Sequence, residues 1–193
     1  MARPKAFDEE TALDAAAQVF WSQGFDGTSM SDLETSMQMG RQSIYNAFGD
    51  KRALFLRALE RYTAWNRGQL AVTLLAPNAG LRTLREYLRS MVERSTEPDV
   101  RRGCLVVNSI AEVGDEDTSI AQGCQANEGL VLGAFEHVLS NAVAAGELAH
   151  DFDVRANARL LVAVTYGASI LAKGGGSFDE IWASYQELLD RWT

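Results

Sequence analysis

Between Thr28 and Lys51 the chain reads TSMSDLETSMQMGRQSIYNAFGDK, and this stretch constrains the fold more than any other. Met30, Leu33 and Met37 form one short apolar stripe at helical spacing. Ile44, Ala47 and Phe48 form a second at i, i+3 and i+4. Ser29, with Asp32 three residues on, reads as a capping box that opens the first of these segments. Only Gln38, Met39 and Gly40 remain between them. The spacing predicts two short helices over about residues 29–48 joined by a tight turn, a helix-turn-helix.

The remainder of the chain also reads as helix. Asp8 is a good N-cap, Glu9 and Glu10 suit a first turn, and Gly24 is placed to end the helix that follows. Asp50 caps a fourth helix running through Leu54, Ala58, Tyr62 and Trp65 towards Leu75. Leu81, Leu84, Leu88 and Met91 mark a fifth, and the segment from Gly103 to about Val113 a sixth. A long helix carries Leu130, Ala134, Val138 and Ala142, and Asp153 caps a run through Leu160, Val164 and Ala168. Phe178, Ile181, Trp182, Tyr185, Leu188, Leu189 and Trp192 give the last. Three prolines, Pro4, Pro77 and Pro98, all fall outside these periodic runs, and no strand alternation appears. The expectation is an all-α protein of about nine helices, with a three-helix head over residues 6–66 and a larger helical body over 67–193.

Burying Ile44, Ala47 and Phe48 turns Arg41, Gln42, Tyr45 and Asn46 outward as two i, i+4 pairs. Such a helix can enter the major groove of DNA. Gln and Asn pair bidentately with adenine, and Arg with guanine or phosphate. Tyr45 can give its hydroxyl to a phosphate, as can Thr28 or Ser29 at the start of the second helix and Lys51, through its ammonium, at the start of the fourth. Arg3 and Lys5 precede the first helix on an arm able to lie along a minor groove. A net charge of −8 by itself opposes this, but it is unevenly spread. Residues 1–67 hold 8 Lys/Arg against 9 Asp/Glu, and residues 68–193 hold 10 against 17. A nearly neutral head on an acidic body suits contact with DNA.

The order of helix, Gly24-Phe25, Thr28-Ser29, short helix, Ser43-Ile44-Tyr45, Phe48 and Lys51 resembles the N-terminal domain of the TetR family of transcriptional repressors. The resemblance implies a DNA-binding head on a ligand-binding body that dimerises. It places Thr28, Arg41, Tyr45 and Lys51 at usual phosphate contacts and Gln42, Ser43 and Asn46 at base-facing positions. Two departures stand out: Gln38 sits where the family usually has a turn glycine, and Gly40 where it usually has a Ser or Thr cap. A non-glycine residue in a left-handed turn costs up to about 1–2 kcal/mol.

Cys104 follows Arg101-Arg102-Gly103 at the expected start of a helix, surroundings in which thiols become nucleophilic. The segment Gly103 to Asn108 resembles a TetR subgroup, some members of which sense electrophiles or oxidants through this cysteine. For an effector cavity, Tyr62, Trp65, Tyr87, Met91, Asn108, Phe135 and Tyr166 are candidate lining. Gly167, Ala168 and the Phe178–Trp192 stripe suggest a homodimer through the last two helices. His137 and His150 have no ligand cluster around them, and no nucleophile–base motif or phosphate-binding glycine loop is present, so neither metal, cofactor nor catalysis is expected. The start lacks a signal-peptide core, and Leu160–Ala172 is shorter than the roughly 20 residues a membrane span needs. The sequence therefore predicts a cytoplasmic, ligand-responsive regulator bound to a double-stranded DNA operator, with no membrane partner. The alternative is a helical protein–protein module with a degenerate head.

Overall fold

The computed structural model describes residues 8–97, 101–114 and 116–192. Arg3 and Lys5 lie outside them. Among the described residues there are nine helices: α1 (Glu9–Gln23), α2 (Met30–Met37), α3 (Arg41–Phe48), α4 (Lys51–Val72), α5 (Leu81–Thr96), α6 (Leu105–Val113), α7 (Thr118–Ala144), α8 (Val154–Lys173) and α9 (Phe178–Asp190). The protein is all-α, with a helix-turn-helix in its N-terminal head and a larger helical body.

Local sequence sets most of these boundaries. Asp8 caps α1 by accepting from Glu10 N, and Asp50 caps α4 by accepting from Ala53 N. Ser29 and Asp32 form the expected reciprocal box at the start of α2. Gln38 ends α2 in the left-handed region at φ 52°, and it is the only non-glycine residue with positive φ among those described. That strain is set against the burial of the next side chain, Met39, in the head core. Gly40 opens α3 with no side-chain hydrogen bond.

Two hydrophobic cores result. The head core gathers Phe20 from α1, Leu33 from α2, Ile44 and Phe48 from α3 and Phe55 from α4. Phe20 meets Phe55 edge-on with ring centroids 4.9 Å apart. Leu105, Val106 and Val113 of α6, with Ile120 and Cys124 of α7, belong to that same core. Fully burying each such side chain contributes about 1.5–3 kcal/mol. The body core joins Leu84 and Leu88 of α5, Phe135 and Leu139 of α7, Leu161 of α8 and Tyr185 of α9. Helix α4 serves both: Leu54, Phe55, Ala58 and Leu59 face the head core, and Leu70 faces the body core. It crosses α7 closely at Gly123, where a Cβ would lie 2.7 Å from Leu59 Cδ2.

Three sequence expectations change here. Helix α4 stops at Val72 rather than near Leu75, because Leu74 and Ala79 turn inward to fill the body core from the connecting loop. Helix α6 starts at Leu105 rather than Gly103, which turns at φ 69°; Cys104 is its N-cap. On α9, Ile181, Tyr185, Leu188 and Leu189 bury within the chain, and Trp192 lies beyond the helix, packed on Phe152 at 5.3 Å. The exposed apolar side chains of this region are instead Leu160, Ile170 and Leu171, on α8.

Candidate nucleic-acid interface and body cavity

Ile44 and Phe48 anchor α3 in the head core, which turns Arg41, Gln42, Ser43, Tyr45 and Asn46 outward. All five are exposed, Tyr45 at 43%. Gln42 Nε2 donates to Asn46 Oδ1 at 3.0 Å, so two amides one turn apart are aligned along the same face. Arg41 bridges to Glu34 at 3.2 Å. An exposed pair of this kind is worth only about 0–1 kcal/mol, so the guanidinium is easily redirected to a stronger anion such as phosphate.

The flanking positions behave differently. Ser29 is exposed, and both its hydroxyl and its backbone N–H donate to Asp32 Oδ2, at 2.5 and 2.9 Å. The Ser29 side chain and backbone hold the Asp32 carboxyl below its ordinary value. Thr28 is buried, at 1% exposure, and its hydroxyl donates to Gly24 O at 2.6 Å. It therefore cannot offer that hydroxyl to a phosphate in this conformation, contrary to the sequence expectation. A buried hydroxyl needs a partner, and the carbonyl four residues back supplies it. Lys51 is half-buried; its ammonium donates to Thr28 O at 3.0 Å and sits 4.5 Å over the Phe25 ring. Thr28 and Lys51 thus hold the entry to α2 from inside, while Ser29 and the α3 set face outward.

In the body, a cavity of about 520 Å³ opens between α4, α5, α7 and α8. Tyr62, Trp65, Tyr87, Met91, Phe135 and Tyr166, six of the residues expected from the sequence, line it, and Cys104 joins them on the wall. Tyr62 OH donates to Cys104 Sγ at 3.4 Å, and burial, followed by the neighbouring thiol, pushes the Tyr62 phenol well above its ordinary value. Burial also raises Tyr87. The Tyr166 hydroxyl is buried short of a well-formed hydrogen bond. Burial first, then the Glu128 carboxylate, push it up. Such a wall, mostly apolar and aromatic with a few polar groups, is typical of small-molecule sites.

Asn108 is the exception among the expected lining. Its amide donates to Arg102 O at 2.8 Å and accepts from Lys173 Nζ at 3.1 Å, stapling the start of α6 to α8 outside the cavity. The arginines before Cys104 are engaged as well. Arg101 Nε donates to Thr96 O at 3.1 Å, and Arg102 donates to the Gln18 side chain and lies over the Trp21 ring. Cys124 is buried, and burial pushes its thiol up to about 11.

Among the cavity residues that escaped the sequence reading are Trp21, Asn66 and Asn127. Asn66 Nδ2 donates to Asn127 Oδ1 at 2.9 Å, and Asn127 is 2% exposed. A signal was available for Asn127. It sits at i+3 from Cys124 and four residues before Val131 on an otherwise apolar stripe of α7, where an unpaired amide would cost about 1–3 kcal/mol.

Comparison with known proteins bears on both regions. Residues 12–58 match the model of bacterial regulatory proteins of the tetR family, and residues 80–179 match the tetracyclin repressor-like C-terminal domain. The chain is 31% identical over 182 residues to the uncharacterized HTH-type transcriptional regulator YezE of Bacillus subtilis (strain 168), covering 94% of each chain. It is 27% identical over 180 residues to the HTH-type transcriptional repressor ComR of Escherichia coli (strain K12), covering 93% of this chain and 86% of that one. Among solved structures it resembles a cysteine mutant of the TetR family transcriptional regulator CifR complexed with 26 bp double-strand operator DNA. That likeness has a TM-score of 0.87 at 32% identity and covers 100% of both chains.

Proposed function

Because this chain belongs to the TetR family, a family of DNA-binding transcriptional regulators, we propose that it is a homodimeric, cytoplasmic repressor that leaves its operator when its body cavity is occupied or Cys104 is modified. The observation that carries the reading is the α3 face, where Arg41, Gln42, Ser43, Tyr45 and Asn46 stand exposed on a helix whose other side is locked in the core. We assign the head to residues 6–66 and the effector and dimerisation body to residues 67–193, with α4 continuous across the division. In the head, Arg41 and Tyr45 take phosphates while Gln42, Ser43 and Asn46 face bases. Ser29 adds a further contact from α2.

Two half-sites one helical turn apart, about 34 Å, require a two-fold dimer. The exposed Leu160, Ile170 and Leu171 of α8 are the apolar surface that supports one. Nothing lies within 4 Å of a Cβ placed at Gly167, so a partner helix can approach closely there. Release is a population shift: a ligand that fits the cavity better in one body conformation favours head positions that no longer match successive grooves.

Titration of the full-length protein with its own upstream DNA, followed by fluorescence anisotropy across a salt series, tests the reading. Log affinity should fall linearly with log salt at a slope of about −0.9 per phosphate contact. Gln42→Ala should change which sequences are preferred. Absence of any salt-dependent binding would sink the regulator reading in favour of a protein–protein module. For the thiol, alkylation should modify Cys104 and weaken operator binding, while Cys124, with its raised pKa, stays protonated and unmodified near neutral pH. Operator affinity unchanged after complete modification of Cys104 would remove its sensing role.

A further inference from the structure

In the turn between α1 and α2, a body side chain takes hold of head backbone. Glu112, in the last turn of α6, accepts from Phe25 N through Oε2 at 2.8 Å and from Asp26 N through Oε1 at 2.7 Å. Two successive N–H groups converging on one carboxylate is the arrangement by which backbone binds an anion. Hydrogen bonds to an ionised acceptor are short and about twice as strong as neutral ones. The turn is shaped to receive this group. Gly24 adopts φ +80°, and a Cβ there would lie 2.6 Å from Glu112 Oε2, so the carboxylate occupies the space a side chain would need.

What the turn controls is the entry to the DNA-facing elements. Thr28 bonds back to Gly24, Ser29 caps α2, and Lys51 reaches in from α4 to Thr28 O. Phe25 packs against Phe55 with ring centroids 5.1 Å apart. The head thus holds the turn by apolar packing and one lysine, and the body holds it by Glu112. In a two-fold dimer the bodies fix the separation of the two heads. A contact from the body onto the start of α2 therefore fixes the angle at which each α3 meets its groove.

We propose that Glu112 is a positioning residue for operator binding. It touches no DNA, but it sets the α1–α2 turn and through it the placement of Ser29 and the α3 face. The proposal rests on the DNA-binding reading above.

The test uses the full-length protein and three variants, Glu112→Ala, Glu112→Gln and Glu112→Asp. Operator affinity is measured together with hydrogen–deuterium exchange at the Phe25 and Asp26 amides. Glu112→Ala should lose about tenfold or more in operator affinity, the factor that one charge-assisted hydrogen bond commands. Its Phe25 and Asp26 amides should exchange faster. Glu112→Gln keeps the length and one acceptor oxygen, so it should fall between wild type and Ala. Glu112→Asp is one methylene short and should behave as Ala does. Affinity within twofold of wild type in Glu112→Ala overturns the proposal, whether or not exchange changes. If Glu112→Ala does not fold, Glu112→Gln decides alone: faster exchange with weaker operator binding supports the clamp, and wild-type values for both overturn it. Failure of the wild-type protein to bind operator would sink the DNA-binding reading, and exchange at Phe25 and Asp26 would then still report whether the clamp exists.

Discussion

Head and body treat their polar side chains in opposite ways. Around the head, charged and hydroxyl groups are tied down: Arg57 to Glu9 at 2.7 Å, Arg61 to Asp14 at 2.7 Å, Thr28 to Gly24, Lys51 to Thr28, and Glu112 to the α1–α2 turn. Around the body cavity several groups are held more loosely. The Tyr166 hydroxyl lacks a good partner, Tyr62 leans on a thiol, and Asn66 and Asn127 satisfy one another across two helices. A surface that must present side chains at fixed positions gains from fixed neighbours. A site that must accept a separate molecule gains from groups whose hydrogen bonds are weak or easily exchanged.

This contrast can be broken, most severely through the core. Phe20→Ala should cost about 3–5 kcal/mol, because Phe20 is fully buried against Phe55. The head core includes residues of α6 and α7, so the whole chain should unfold in one transition at lower denaturant. A head that melts alone, leaving the body transition in place, would contradict a shared core. Asn127→Ala removes one side of the amide pair on the cavity wall, with an expected loss of about 1–3 kcal/mol in denaturant unfolding. A neutral outcome would mean the cavity hydrates Asn66 at no cost.

A smaller effect is expected in acid. Arg52, with Nη2 at 2.7 Å from Oδ1 and Nε on the other oxygen, holds the Asp117 carboxyl at about 2, below its ordinary 3.8. A depressed carboxyl stabilises the fold above its unfolded value and ceases to do so as pH falls through the folded one. Stability from this link between α4 and the start of α7 should therefore be complete at neutral pH and fade between about pH 4 and pH 2. Asp117→Asn still caps α7 but should flatten that part of the acid denaturation curve. Smallest of all is Arg41→Ala. Its stability should stay within about 0.5 kcal/mol of wild type, since its pair with Glu34 is exposed. The salt slope of operator binding should nonetheless drop by about one.

The head was the more legible region because short-range rules govern it. Ser29 with Asp32, Gly24, and the i, i+3, i+4 spacing of Ile44, Ala47 and Phe48 each act within a few residues, and each appears where the sequence placed it. The left-handed Gln38 and the uncapped Gly40 also stand at the positions where the chain departs from its family's usual pattern. What the head concealed is where long or small polar side chains end. Nothing in the sequence says that the Lys51 ammonium turns back onto Thr28 O or that the Thr28 hydroxyl is buried. The cavity was legible in its aromatic residues and not in its amides. Asn66 and Asn127 meet only because α4 and α7 cross, and Asn108, equally plausible by spacing, faces α8 instead. Contacts between helices distant in sequence depend on crossing geometry, which periodicity does not encode.

The sharing of the head core by α6 and α7 also limits how such proteins can be recombined. A chimera that joins this head to a relative's body at the end of α4 would leave Phe20, Leu33 and Phe55 facing a foreign α6 in place of Leu105, Val106 and Val113. It would also leave the Gly24 turn facing whatever residue stands at the position of Glu112. The natural unit of exchange is therefore discontinuous in sequence: residues 8–72 together with α6 and the start of α7, through Cys124, that close over them. If α3 reads the operator as proposed, its preference should instead be transplanted on the exposed face of that helix, where Gln42 and Asn46 can be changed without disturbing a buried neighbour.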